Sequence, residues 1–158
     1  MTRTGPSRAV PAAGEGKRGP QGHISYLLRQ ADGAARSALD SALAEVGLTT
    51  PQFLVLNLLD AYPGVSGAQL AGIAQLTPQT VNLIVRKLER EELIGRRQHE
   101  SHGRALRIEL TNAGQRRLRR GKRLADAVEH RIQALLDADA EPKVRRWLAA
   151  TAVALLRS

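Results

Sequence analysis

Apolar residues recur at helical spacing along most of this chain, and the period shortens to two at one place past its middle. Between His23 and Val46, a stripe of Ile24, Leu27, Leu28, Ala31, Ala35, Ala38, Leu39, Ala42, Leu43 and Val46 predicts a first helix, and Gly47 suits its C-terminal cap. Pro51 opens a second helix through Phe53, Leu54, Leu56, Leu58 and Leu59, which ends near Tyr62-Pro63-Gly64. Ser66 with Gln69 three residues later fits a capping box for a short third helix, with Leu70, Ala71, Ile73 and Ala74 as its apolar side. Gln75-Leu76 reads as a turn. Thr77 is then an N-cap, and Pro78 takes the first helical position, where its missing N–H costs nothing. Val81, Ile84 or Val85, and Leu88 follow at the spacing of a buried helix face.

The period of two comes next. Leu93-Ile94 and Arg96-Arg97-Gln98 lead into a turn-like stretch, His99-Glu100-Ser101-His102-Gly103. From Ala105 to Leu110 the residues alternate, with Leu106, Ile108 and Leu110 on one face and Arg107 and Glu109 on the other, as in a half-buried strand. Thr111 caps a long helix to about Leu136, and Glu141-Pro142 opens a last helix carrying Val144, Trp147, Leu148, Leu155 and Leu156. Residues 1–22 are rich in Gly, Pro, Ala and Arg without periodicity and read as a flexible arm. The predicted fold is mainly α with a small β-hairpin, and its 158 residues are one domain's length.

The helix pair over residues 66–88 has the form of a helix–turn–helix, whose second helix lies in the DNA major groove in known cases. Gln79, Thr80, Asn82 and Arg86 fall opposite its apolar face. Asn and Gln side chains suit adenine, and Arg suits guanine or phosphate. The same pattern also fits an ordinary amphipathic helix pair with a polar outer face. The hairpin favours the first reading: two strands around a basic tip make a wing, with Arg104 beside Gly103 placed to enter a narrow minor groove. Arg96, Arg97 and Arg107 serve there as backbone contacts or wing supports. The plain alternative is a solvated hairpin whose arginines aid solubility. Charge placement weighs against that alternative. Residues 86–123 hold 13 Lys or Arg against 5 Asp or Glu, so +8 of the net +9 falls in that block. A basic block following a recognition helix is the footprint of phosphate contact.

Composition narrows the remaining classes. No long apolar run or aromatic basic face points to a membrane. RNA recognition by stacking is disfavoured, because Tyr26, Phe53, Tyr62 and Trp147 all lie outside the basic block. With no cysteine, the chain has no disulfide, thiolate ligand or thiol sensor. The absence of an apolar signal-peptide core makes a cytoplasmic location the expectation. His99 and His102 only loosely echo a metal motif and lie in a predicted turn. No nucleophile motif or glycine-rich phosphate loop indicates an enzyme, and no cofactor is expected.

Three stretches, taken together with the helix pair, resemble the multiple antibiotic resistance regulator (MarR) family: Leu48-Thr-Thr-Pro-Gln-Phe-Leu-Val-Leu56, Leu88-Glu-Arg-Glu-Glu-Leu-Ile-Gly-Arg-Arg97, and Ile108-Glu-Leu-Thr-Asn-Ala-Gly114. The Leu-Thr-x-x-Gln step before the helix pair and the Leu-Thr-x-x-Gly step after the wing are the most specific pieces. The resemblance spans about residues 23–158. It implies a winged helix–turn–helix over 48–110, with dimerisation helices at 23–47 and 111–158. It further implies a homodimeric repressor that binds a pseudo-palindromic double-stranded operator and is released by a small aromatic or phenolic ligand. By the same resemblance the ligand lies near His23, Tyr26, Leu27, Arg29 and Gln30 on the first helix and Phe53, Leu56 and Asn57 on the second, residues that suit a dimer core equally well. The family's wing carries an Asp-x-Arg element where this chain has His102-Gly103-Arg104. The usual Asp–Arg pair is thus lost, and a wing that is looser or partly pH-sensitive through His102 is expected. A non-specific DNA-coating protein and a winged-helix protein-interaction module share this fold and charge.

Overall fold

A computed structural model of the protein describes residues 10–98 and 106–156. Its contacts divide the chain into two compact units, residues 1–37 and 38–158. Among the described residues, six α-helices and one hairpin follow in order: α1 (Ile24–Ala44), α2 (Thr50–Ala61), α3 (Gly67–Ala74), α4 (Pro78–Arg90), β1 (Ile94–Gln98), β2 (Leu106–Leu110), α5 (Asn112–Gln133) and α6 (Glu141–Leu156). Within the stretch expected as an arm, Gly16–Arg18 form one 3₁₀ turn.

Side chains that satisfy the free N–H groups at helix N-termini set most of these boundaries. At α2, Thr49 Oγ1 accepts from Gln52 N while Gln52 Oε1 accepts from Thr49 N at 2.9 Å. Asp40 reinforces this start by accepting from both Thr50 N and Thr50 Oγ1 at 3.1 and 2.6 Å. Ser66 and Gln69 make the same reciprocal box at α3. The Leu-Thr-x-x-Gln step is therefore a capping device. Gln52 is also the one buried polar residue of the core among the described residues, and its Nε2 has no hydrogen-bond partner there.

The core of the second unit joins Leu43, Val55, Leu56 and Leu59 to Leu70, Val81, Val85, Leu88, Leu93, Ile108 and Leu118. It gathers α2, α3, α4, the hairpin base and the start of α5 around one apolar centre. Two glycines permit close approaches to this core. A Cβ at Gly114 would collide with the Leu93 carbonyl, and one at Gly121 would press on the Phe53 ring at 3.1 Å. Thr111 completes the junction: its Oγ1 donates to Glu92 O at 2.7 Å and accepts from Gly114 N at 3.0 Å, while Thr111 N donates to Leu93 O at 3.0 Å. The Leu-Thr-x-x-Gly step thus welds α5 to the turn between α4 and β1.

Several residues of the predicted apolar stripes lie outside the core, among them Ile24 (62% exposed), Leu54 and Ile73. Ile73 is 49% exposed, because the short α3 turns only Leu70 and Ala71 fully inward. α6 buries none of its residues within the chain and exposes Trp147, Leu148, Val153, Leu155 and Leu156.

Candidate nucleic-acid interface

The helix α4 stands out by its division into two faces. Val81, Val85 and Leu88 are buried, while Gln79, Asn82, Leu83, Arg86, Lys87 and Arg90 are exposed. Thr77 caps its N-terminus by accepting from Thr80 N at 3.2 Å, and the two hydroxyls lie 2.9 Å apart. Thr80 is half-buried and belongs to the cap as much as to the outer face. Gln79, Asn82 and Arg86, singled out from sequence, share the outer face. Leu83 shares it too, which periodicity did not flag.

α3 meets α4 through a tight turn. Gln75 adopts the left-handed conformation (φ 53°, ψ 40°), and Leu76 N donates back to Ala71 O at 3.0 Å. At the other end of α4, Glu92 is also left-handed (φ 56°), and Leu93 N donates to Leu88 O at 2.9 Å, which delivers the chain into β1.

The hairpin is antiparallel, with Ile94 opposite Leu110, Arg96 opposite Ile108 and Arg97 opposite Arg107. Ile108 is buried and Arg107 exposed, as the alternation predicts, and Ile94 is buried as well. Arg96 turns back onto the helix: its guanidinium pairs with Glu89, Nε to Oε1 at 2.5 Å. That hydrogen bond first, and the Glu89 charge second, hold the Arg96 pKa above the ordinary arginine value, against a small opposing effect of burial. The Arg107 side chain lies over Gly64, within 3.2 Å of where a Cβ would stand, and Gly64 has φ 81°. Both arginines thus lean on neighbouring elements. Arg104, His102 and His99 lie outside the described residues, as does the tip of the wing, and of the Arg97 side chain nothing is described.

The cations of α5 divide in the same way as the faces of α4. Arg117 lies 3.9 Å from Glu91, and Lys122 donates to Asp60 at 2.7 Å. Arg116, Arg119, Arg120 and Arg123 are all exposed at successive helical turns and have no ion pair among the described residues.

The residues implied for a ligand fall in two places. Tyr26, Leu27, Arg29 and Gln30 lie in the first turns of α1 and His23 just before it, and Gln30 Nε2 donates to Arg18 O at 3.1 Å. On α2, Leu56 is fully enclosed in the core, Phe53 packs on Gly121, and Asn57 Nδ2 donates to Phe53 O at 3.1 Å. No described helix is long and apolar enough to cross a membrane.

A capped helix pair followed by a two-stranded wing defines a winged helix–turn–helix protein. Residues 48–106 match the MarR family. The HTH-type transcriptional repressor Rv2887 of Mycobacterium tuberculosis is 35% identical over 125 residues, covering 79% of this chain and 90% of that protein. Its crystal structure in complex with salicylic acid superposes with a TM-score of 0.68 at 33% identity, over 84% of this chain and 98% of that one. The transcriptional repressor CouR, bound to a 23-mer DNA duplex, superposes with a TM-score of 0.76 at 30% identity, over 82% and 92% of the two chains. The chain belongs to the MarR family.

Proposed function

We propose that this protein is a sequence-specific DNA-binding transcriptional repressor, acting as a homodimer and released from its operator by a small aromatic acid. The observation that carries the reading is the outer face of α4. It sets Gln79, Asn82 and Arg86 on one exposed strip, anchored from behind by Val81, Val85 and Leu88. Such a helix fits the major groove and brings side chains that discriminate base edges. Arg104 at the wing is assigned to the minor groove, and Arg97 to the adjacent backbone. The exposed apolar residues of α6 are assigned to the second copy, since a two-fold dimer presents two recognition helices to half-sites about one DNA turn apart. The relatives support this: Rv2887 is a repressor crystallised with salicylic acid, and CouR a repressor crystallised on duplex DNA.

The deciding test is fluorescence anisotropy on DNA from upstream of the protein's own gene, with a shuffled duplex as competitor, at two salt concentrations. A preference of about a hundredfold or more that survives near-physiological salt is expected. Equal binding to both duplexes that collapses with salt would instead mark a DNA-coating protein, and no binding would favour a protein-interaction module. Salicylic acid added to the specific complex should release the DNA.

A further inference from the structure

Leu83 is 68% exposed at the centre of the strip formed by Gln79, Asn82, Arg86 and Arg90. Single exposed leucines are ordinary on protein surfaces. This one differs by its neighbours. It is the one large aliphatic side chain on an otherwise polar helix face, and with Arg86, Glu89 and Arg90 it lines a shallow depression there. The core does not use it, because Val81, Val85 and Leu88 fill the inner face.

An apolar group set among base-reading side chains needs an apolar counterpart. In the major groove that counterpart is the C5-methyl group of thymine, since the other base-edge groups are hydrogen-bond donors and acceptors. We infer that Leu83 reads a thymine methyl group, and so fixes a thymine in each half-site next to the base that Arg86 addresses. Leu83 and Arg86 are three residues apart on the helix, about 4.5 Å along its axis, between one and two base-pair steps of about 3.4 Å. The inference rests on the DNA-reading function proposed above and names a residue that sets its specificity.

The experiment replaces each thymine of the bound duplex in turn by deoxyuridine, which deletes the methyl group and keeps Watson–Crick pairing. For the wild-type protein, one position per half-site should weaken binding about fourfold, the effect of withdrawing one methyl group from an apolar contact. Leu83→Ala removes the contact from both half-sites, so it should bind the thymine duplex as weakly as the wild type binds a duplex with the thymine of each half-site replaced, about sixteenfold more weakly than the wild type on thymine, and should be indifferent to the replacement. Alanine is the strongest helix former, so the variant keeps the fold, and an unchanged melting temperature checks this. Uniform tolerance of uracil, or a Leu83→Ala variant with wild-type uracil sensitivity, would overturn the inference while leaving sequence-specific binding in place. Loss of preference for the native over the shuffled duplex in the wild type would instead remove the DNA-reading function, and the role of Leu83 with it.

Discussion

Arg96 on β1 holds Glu89 on α4 through two contacts, Nε to Oε1 at 2.5 Å and Nη2 to Oε2 at 3.3 Å, so the wing is pinned to the helix proposed to read DNA. The pair is solvent-exposed and is worth at most about 1 kcal/mol of stability. Its importance is positional. Arg96→Gln and Glu89→Gln should weaken operator binding by similar factors, and the double variant should lose no more than either single one. The slope of log affinity against log salt should not change. A slope lowered by about 0.9 for Arg96→Gln alone would identify Arg96 as a phosphate contact instead. The raised Arg96 pKa gives a stabilisation fully present below the unfolded value and lost only as pH rises through the still higher folded value. The arginine side of the pair therefore introduces no pH dependence near neutrality.

Gly114 sits where α5 crosses the turn between α4 and β1, and a Cβ there would strike the Leu93 carbonyl. Gly114→Ala should destabilise the protein by about 1–3 kcal/mol, despite alanine's better helix propensity, because backbone must shift. Chemical denaturation would show this. An Ala substitution at Gly72, which lies in α3 with open space around its Cβ, is the control and should be neutral or stabilising.

Both helix ends that frame α4 break the usual rule that glycine takes the left-handed position. Gln75 (φ 53°) and Glu92 (φ 56°) occupy it instead. Gln75→Gly should stabilise the protein by about 0.5–1 kcal/mol by removing Cβ strain at an exposed position. A lowered melting temperature would show that the Gln75 side chain contributes contacts that outweigh the strain.

These positions also mark what could be read from the chain. The starts of α3 and α4 were legible, because Ser66 and Thr77 are local signals that act within three residues, and Pro51 marked the start of α2 to within one residue without revealing that Thr49 caps it. The hairpin was legible for the same reason: Ile108 and Leu110 alternate with Arg107 and Glu109. The Glu89–Arg96 pair was not, since its partners lie seven residues apart across a helix end and a strand start, where no period relates them. Periodicity also placed Ile73 inside and gave no role to Leu83, because it reports which residues are apolar and not how wide a face each helix buries. Of the candidate site, the strip on α4 was legible, whereas for Arg96 and Arg107 the sequence leaves backbone contact and wing support both open, because the choice depends on where α4 and Gly64 lie in space.

Asn82 and Arg86 share the exposed strip of α4, and neither is needed by the core. Asn82→Ala and Arg86→Ala should each cost about 1–3 kcal/mol in operator binding and relax selectivity at one base position. The check is competition among duplexes varied one base pair at a time. Uniform weakening across all of them would reduce either residue to a phosphate contact.

Arg120 faces Arg116 four residues before it and Arg123 three after, on a helix face with no ion pair among the described residues. Like charges at this spacing cost about 0.2–0.5 kcal/mol per pair at low salt. Lys122, one turn around the same helix, donates to Asp60 of α2 at 2.7 Å. The two sites therefore predict opposite responses to the same neutralising change. Arg120→Gln should raise the melting temperature slightly, and Lys122→Gln should lower it slightly. Both effects should shrink as salt rises, because the charges are exposed and screened. If Arg120→Gln were destabilising at low salt, the arginine would have to contribute to the fold, through packing of its alkyl stem along α5. If it stabilises, the four-arginine face is retained at a cost to the free protein. Phosphate contact would then be the remaining use for its charge, and the Arg120→Gln variant should show a salt slope for DNA binding shallower by up to about 0.9.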